Sequence, residues 1–175
     1  MDRLSWQDYF VNIVNATSQR STCNRGKPGC IFVKNNQVLV TGYAGSPPKF
    51  PHCDEVGHEM EARCRIAANP NYPEEMKMKV QDALASGNVS FHCVRTIHAE
   101  QNAIIQAAKR GVALEGSTCY VTMTPCRTCA MMLVGLGIKD VIAIKKYQKA
   151  KESMEFFKMA GIDIIHLDEQ ELIYG

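Results

Sequence analysis

A chain of 175 residues, 46% hydrophobic and 22% charged, has the composition of one ordinary globular domain, 1–175. Its 20 basic and 18 acidic residues give a formal net charge of +2 with no block of like charge, which argues against a nucleic-acid polymer as partner and leaves small ligands open. Residues 1–20 lack an uninterrupted apolar core and no later run reaches about 18 apolar residues, so a soluble chain with neither leader nor membrane span is expected.

In chain order, apolar Leu4, Trp6, Phe10, Val11, Ile13 and Val14 recur at helical spacing up to Ser18, predicting a first helix packed on a sheet. Cys30–Val33 and Val38–Thr41 are β-branched runs joined by Lys34-Asn35-Asn36-Gln37, the pattern of a hairpin turning on asparagine. A Gly/Pro loop from Gly42 to Pro48 then leads to His52 and Cys53. Met60–Ala68 and Pro73–Ala85 read as helices, the second with Glu74 and Glu75 in its first turn and Gly87 past its end. Together they predict a helical insertion near residues 59–91.

The second half alternates: helix His98–Arg110 stopped by Gly111, strand Cys119–Met123, helix Arg127–Leu136 closed by Gly137, strand Asp140–Ile144, helix Lys149–Met159, strand Asp163–Leu167. Such alternation implies parallel pairing by right-handed crossovers. The expected fold is α/β, a three-layer α/β/α sandwich around a five-stranded mixed sheet.

Two short motifs carry chemistry. Pro125-Cys126-Arg127-Thr128-Cys129 opens a helix and points two sulfurs at one ion, and His98, at the start of a neighbouring helix, supplies a third ligand. Three protein ligands leave the fourth tetrahedral position that a catalytic zinc needs. Glu100, two residues after His98, stands close to that position without being a ligand, as a proton carrier must. A lone Cys-x-x-Cys is equally a redox pair or half of a zinc knuckle, and a lone His-Ala-Glu says almost nothing. In this order, with Pro before the first Cys, they form the signature of zinc deaminases. Thiolate ligands and the absence of a leader favour a reducing cytoplasm.

Over most of its length the chain resembles the deoxycytidylate (dCMP) deaminases. The resemblance is carried by Arg20-Ser21-Thr22-Cys23-Asn24-Arg25, Thr41-Gly42-Tyr43 with Gly45 and Pro47, and His52-Cys53-Asp54-Glu55-Val56-Gly57. His92-Cys93-Val94-Arg95-Thr96-Ile97-His98-Ala99-Glu100-Gln101-Asn102-Ala103 and the Pro-Cys-x-x-Cys pair complete it. It implies the cytidine-deaminase fold, zinc-dependent conversion of dCMP to dUMP with release of ammonia, and homo-oligomers, often hexamers. Control by dCTP and dTTP is also implied, with Mg2+ accompanying such an effector.

Within the resemblance, His98, Cys126 and Cys129 hold the catalytic zinc and Glu100 is the catalytic residue. A second, structural zinc on Cys23, Cys53, His58 and Cys93 is implied as well, with His52 and His92 as competing ligands. Candidate substrate-binding residues are Arg25 and Ser46 in the first half and Tyr147 in the loop after the fourth strand. The family's Gly-Tyr-Asn-Gly is here Gly42-Tyr43-Ala44-Gly45, so the Asn that bonds a sugar hydroxyl in related enzymes is absent. Two changes at the substrate, Ala44 and Pro28, keep other readings open: a deaminase of another cytosine nucleotide or modified base, or a nucleotide-sensing domain without catalysis. Cys30 and Cys119 read as buried core thiols, and His166 as a packed or exposed histidine without chemical duty.

Overall fold

The computed structural model describes residues 3–63, 78, 82, 90–147 and 150–172. Helix α1 (Trp6–Ser18) begins where the Ser5 hydroxyl accepts the Asp8 amide at 3.1 Å. Strands β1 (Gly29–Lys34) and β2 (Gln37–Tyr43) form the expected hairpin. Its tip residues Asn35 and Asn36 have φ of 51° and 59°, the left-handed pair that a tight hairpin demands and asparagine tolerates.

A short helix α2 (Cys53–Val56) precedes two strands, β3 (Met60–Arg63) and β4 (Ser90–Cys93), which pair antiparallel as a separate ribbon. This corrects the helix expected from Met60: Met-Glu-Ala-Arg are good helix formers, but pairing with Ser90–Cys93 overrides their propensity. The remainder of that run and most of Pro73–Ala85 lie outside the described residues, as does Cys64; Met78 and Asp82 are helical.

The second half runs α3 (Ala99–Arg110), β5 (Thr118–Met123), α4 (Arg127–Gly135), β6 (Asp140–Tyr147), α5 (Ala150–Met159) and β7 (Asp163–Leu172). The main sheet has the order β2-β1-β5-β6-β7, with β5, β6 and β7 parallel and the hairpin antiparallel to them. This is the five-stranded mixed sheet of the expected sandwich. Strand β6 is longer than expected: Lys145 still pairs with Met123 and Asp168, so Tyr147 ends a strand and does not sit in a loop.

Strand β1 is buried on both faces, as a central strand should be. Ile31 and Val33 meet Phe10 and Val14 of α1 together with Tyr120 and Ile142. On the opposite face Cys30 and Phe32 meet Ala99, Ala103 and Ala107 of α3, with Leu133 of α4 and Phe157 of α5 in the same core. Cys30 and Cys119 are both fully buried there, their sulfurs 3.6 Å apart.

The small residues of α3 bring it unusually close to the sheet. A Cβ placed on Gly42 would stand 2.2 Å from the Ala99 carbonyl oxygen and 2.5 Å from the Ala103 nitrogen, so only glycine fits. Strand β2 thereby fixes the height at which His98 and Glu100 emerge. No described helix is long and apolar enough to cross a membrane.

Candidate active site

Two helix starts converge. His98 is the N-cap of α3, its amide donating to Gln101 Oε1 at 3.0 Å, and Cys126 is the N-cap of α4. His98 Nδ1 lies 3.4 Å from Cys126 Sγ and 3.6 Å from Cys129 Sγ. Ligands at zinc–nitrogen and zinc–sulfur distances of about 2.0–2.3 Å in a tetrahedron stand about 3.5–3.8 Å apart, so these three groups fit one ion with little movement.

The electrostatics suit a cation. A hydrogen bond with Cys129 and the neighbouring His98 lower the Cys126 thiol to about 3, despite the burial that opposes it. The same Cys126–Cys129 bond, together with burial, pushes Cys129 up, so the pair shares a proton that a metal ion would displace. Helix N-termini favour thiolates in both positions.

Glu100, only 6% exposed, stands in the first turn of α3. Burial raises its pKa, and the charge of Cys126 raises it further. A cation between them would offset the second cause, leaving burial as the influence that favours the protonated carboxyl.

These groups open into one cleft on the protein surface. His98, Glu100 and Cys126 line one side, and Arg25, His92, Thr96 and Tyr147 also line it. Arg25 and Tyr147 were expected from the sequence. Ser46 was expected too, but it is absent from the lining, and its buried Oγ has no hydrogen-bond partner. Thr96, Met123 and Thr124 line the cleft without any sequence signal beyond their nearness to the two motifs.

The four residues of the implied second site also come together. The candidate ligand atoms of Cys23, Cys53, His58 and Cys93 lie within 4.8 Å of one another. Cys53 Sγ is 3.5 Å from Cys93 Sγ and Cys23 Sγ is 3.8 Å from His58 Nδ1, again near tetrahedral spacing. The Asn24 carboxamide oxygen lies 2.7 Å from His58 Nε2, on the far side of the ring, leaving Nδ1 toward the thiols. Burial and the adjacent Cys93 push Cys53 up to about 12, so without a cation it stays protonated.

The competing histidines are elsewhere. His52 caps α2 and its Nδ1 lies 3.1 Å from the Thr22 hydroxyl, while His92 lines the cleft. Cys23 and Cys93 line it as well, so two residues of the second cluster share the cleft with His98, Glu100 and Cys126.

An α/β/α sandwich that presents His, two Cys and a buried Glu at converging helix starts defines a zinc deaminase. The family model for the cytidine and deoxycytidylate deaminase zinc-binding region matches residues 4–145, and the chain belongs to that family. It is 31% identical to ComE operon protein 2 of Bacillus subtilis over 99% of this chain and 77% of that protein. It is 32% identical to the deoxycytidylate deaminase of Enterobacteria phage T4, covering 93% and 90%. Against the Saccharomyces cerevisiae deoxycytidylate deaminase identity is 29%, and the chain spans 45% of that protein's length. The structure of dCMP deaminase from the cyanophage S-TIM5 in complex with dCMP and dUMP matches with a TM-score of 0.66 at 23% identity, covering 95% and 99% of the two chains; this likeness concerns the fold.

Proposed function

We propose that the chain catalyses hydrolytic deamination of dCMP to dUMP. The observation that carries the reading is that buried Glu100, His98 and Cys126 share one cleft with Arg25, and that Cys129 stands with His98 and Cys126 as a possible metal ligand. Relatives named deoxycytidylate deaminase, and a similar structure holding dCMP and dUMP, support the substrate.

His98, Cys126 and Cys129 would hold the catalytic zinc, and the chemistry a bound zinc would supply is the acidification of a water beside Glu100. Glu100 takes the proton from that water and delivers one to N3 of the cytosine as oxygen bonds to C4. Glu100 then takes the remaining proton from the oxygen now on C4 and passes it to the amine as the C4–N4 bond breaks, so that ammonia leaves and the C4 carbonyl of uracil remains. Arg25, with His92 and Tyr147 around it, is the group for the phosphate, since a guanidinium bonds phosphate oxygens in pairs.

Cys23, Cys53, His58 and Cys93 hold a second, structural zinc. Its thiolate ligands, like those of the first, agree with a reducing cytoplasm. The chain acts as a homo-oligomer, and the half-exposed Trp6 and Tyr9 of α1 are apolar surface suited to another copy.

Ammonia release over dCMP, CMP, dCTP, deoxycytidine and cytosine, each with and without dCTP or dTTP plus Mg2+, tests the assignment. dCMP is expected to be the preferred substrate. Turnover of deoxycytidine as fast as dCMP would remove the phosphate role of Arg25.

Ala44 bears on the sugar. It is 2% exposed, lines the cleft, and is held by its amide to the Pro28 carbonyl at 3.2 Å. Ala44→Asn is expected to raise kcat/KM for dCMP by about 3- to 10-fold, the weight of one hydrogen bond to a sugar hydroxyl. A fall instead would show that another group already fills that place.

A further inference from the structure

Thr124 lies between β5 and the Pro125-Cys126 turn, 2% exposed, and lines the substrate cleft. Its hydroxyl is the centre of a network drawn from two strands, β6 and β7. The Tyr147 amide donates to Thr124 Oγ1 at 3.2 Å, and His166 Nε2 lies 2.9 Å from the same oxygen. The Lys145 carbonyl accepts the Thr124 amide at 3.0 Å and stands 3.4 Å from the hydroxyl.

A hydroxyl has one proton and two lone pairs. Tyr147 N–H occupies one lone pair. The Lys145 carbonyl can only accept, so the hydroxyl either gives its proton to that carbonyl while its second lone pair accepts His166 Nε2–H, or gives its proton to an unprotonated Nε2; in either ring tautomer the imidazole is a partner of the hydroxyl. Without it, a buried hydroxyl loses its shortest contact and is free to turn away from Tyr147.

The chain comes back to this point by the parallel pairing of β6 and β7, in which His166 stands opposite Ala143, two residues before Lys145. The last strand thus reaches the substrate cleft without lining it.

We propose that His166 is a positioning residue for the substrate pocket, acting through the Thr124 hydroxyl to fix where Tyr147 stands against the nucleotide. The role of Tyr147 at the nucleotide rests on the function proposed above; the coupling of His166 to Tyr147 does not.

The test compares His166→Leu, His166→Gln, Thr124→Val and the double variant His166→Leu/Thr124→Val by dCMP kinetics, zinc content and the NMR resonance of the Tyr147 amide. His166→Leu and Thr124→Val are each expected to shift the Tyr147 amide and raise KM about 3- to 10-fold, the range of one lost hydrogen bond, with kcat within about twofold and zinc unchanged. The double variant is expected to be no worse than either single one, and His166→Gln, which keeps a polar partner, to recover at least half of the loss.

An unchanged KM in folded His166→Leu, or additive losses in the double variant, would overturn the proposal. If His166→Leu does not fold, Thr124→Val and His166→Gln decide it: a shifted Tyr147 amide and raised KM in the first, with near-normal values in the second, support it, and no shift in the first sinks it. Should the wild-type chain not deaminate dCMP, the substrate reading falls, and the Tyr147 amide response alone still decides the coupling.

Discussion

Replacing Glu100 with Gln is expected to leave the zinc content unchanged and to lower kcat for dCMP by about 10²- to 10⁴-fold or more, the contribution of a positioned acid–base group. Glu100 is the one carboxylate among the described residues that line the cleft. In the proposed mechanism His98, Cys126 and Cys129 serve as metal ligands. Gln has the same shape and a similar capacity to bond water, but it has no proton to exchange. The variant therefore separates a ligand from a proton carrier: metal analysis reads the first role and turnover the second. Near-normal turnover with full zinc would end the assignment of Glu100.

Cys53→Ser should reduce zinc from about two per chain to about one, with the catalytic centre still filled. Zinc bound in small zinc-dependent peptides contributes about 10–16 kcal/mol of apparent binding free energy, which is folding free energy there. If only about 4 kcal/mol of this is expressed here, the melting temperature falls by about 10 °C, at about 2–4 °C per kcal/mol for a chain of this size. The four ligands explain the size of the effect. Cys23 precedes β1, Cys53 opens the four-residue helix α2, His58 follows it, and Cys93 ends β4. Apart from the small cluster of Cys23, Ala44, Cys53 and Cys93 themselves, these loops have little apolar core to hold them. A wild-type content of one zinc per chain, with the catalytic site full, would remove this second site. KM for dCMP is expected to rise in the same variant, because Cys23 and Cys93 are part of the cleft wall.

The centre was legible because its chemistry is local. Cys126 and Cys129 share one helix start, His98 and Glu100 another, and the strand–turn–helix pattern before each motif says where those starts point. The main sheet was legible for a similar reason: Ile31 to Val33 and Val141 to Ile144 are β-branched runs between clear stops, and Asn35-Asn36 names its own turn.

The failures share the opposite cause. Met60–Arg63 has helical propensity throughout, and only its partner Ser90–Cys93, far along the chain, makes it a strand. Lys145 and Lys146 look like the end of β6, yet pairing with β5 as far as Lys145 and with β7 as far as Tyr147 carries the strand on. Ser46 was chosen for loop position, which does not specify the direction of a side chain. His166 drew no chemistry because its partner Thr124 is 42 residues away, with nothing in either segment to connect them.

The bare backbone at Gly42 has a consequence for how the molecule fails under heat. At Gly42 the helix carrying His98 and Glu100 meets β2 backbone to backbone, with the Ala103 methyl and Val40 filling the rest of the contact, so the reactive pair is tied directly to the sheet. Nothing soft enough to melt separately lies at that contact. Loss of the Glu100 geometry should therefore coincide with cooperative collapse of the sheet and not precede it as a local loosening.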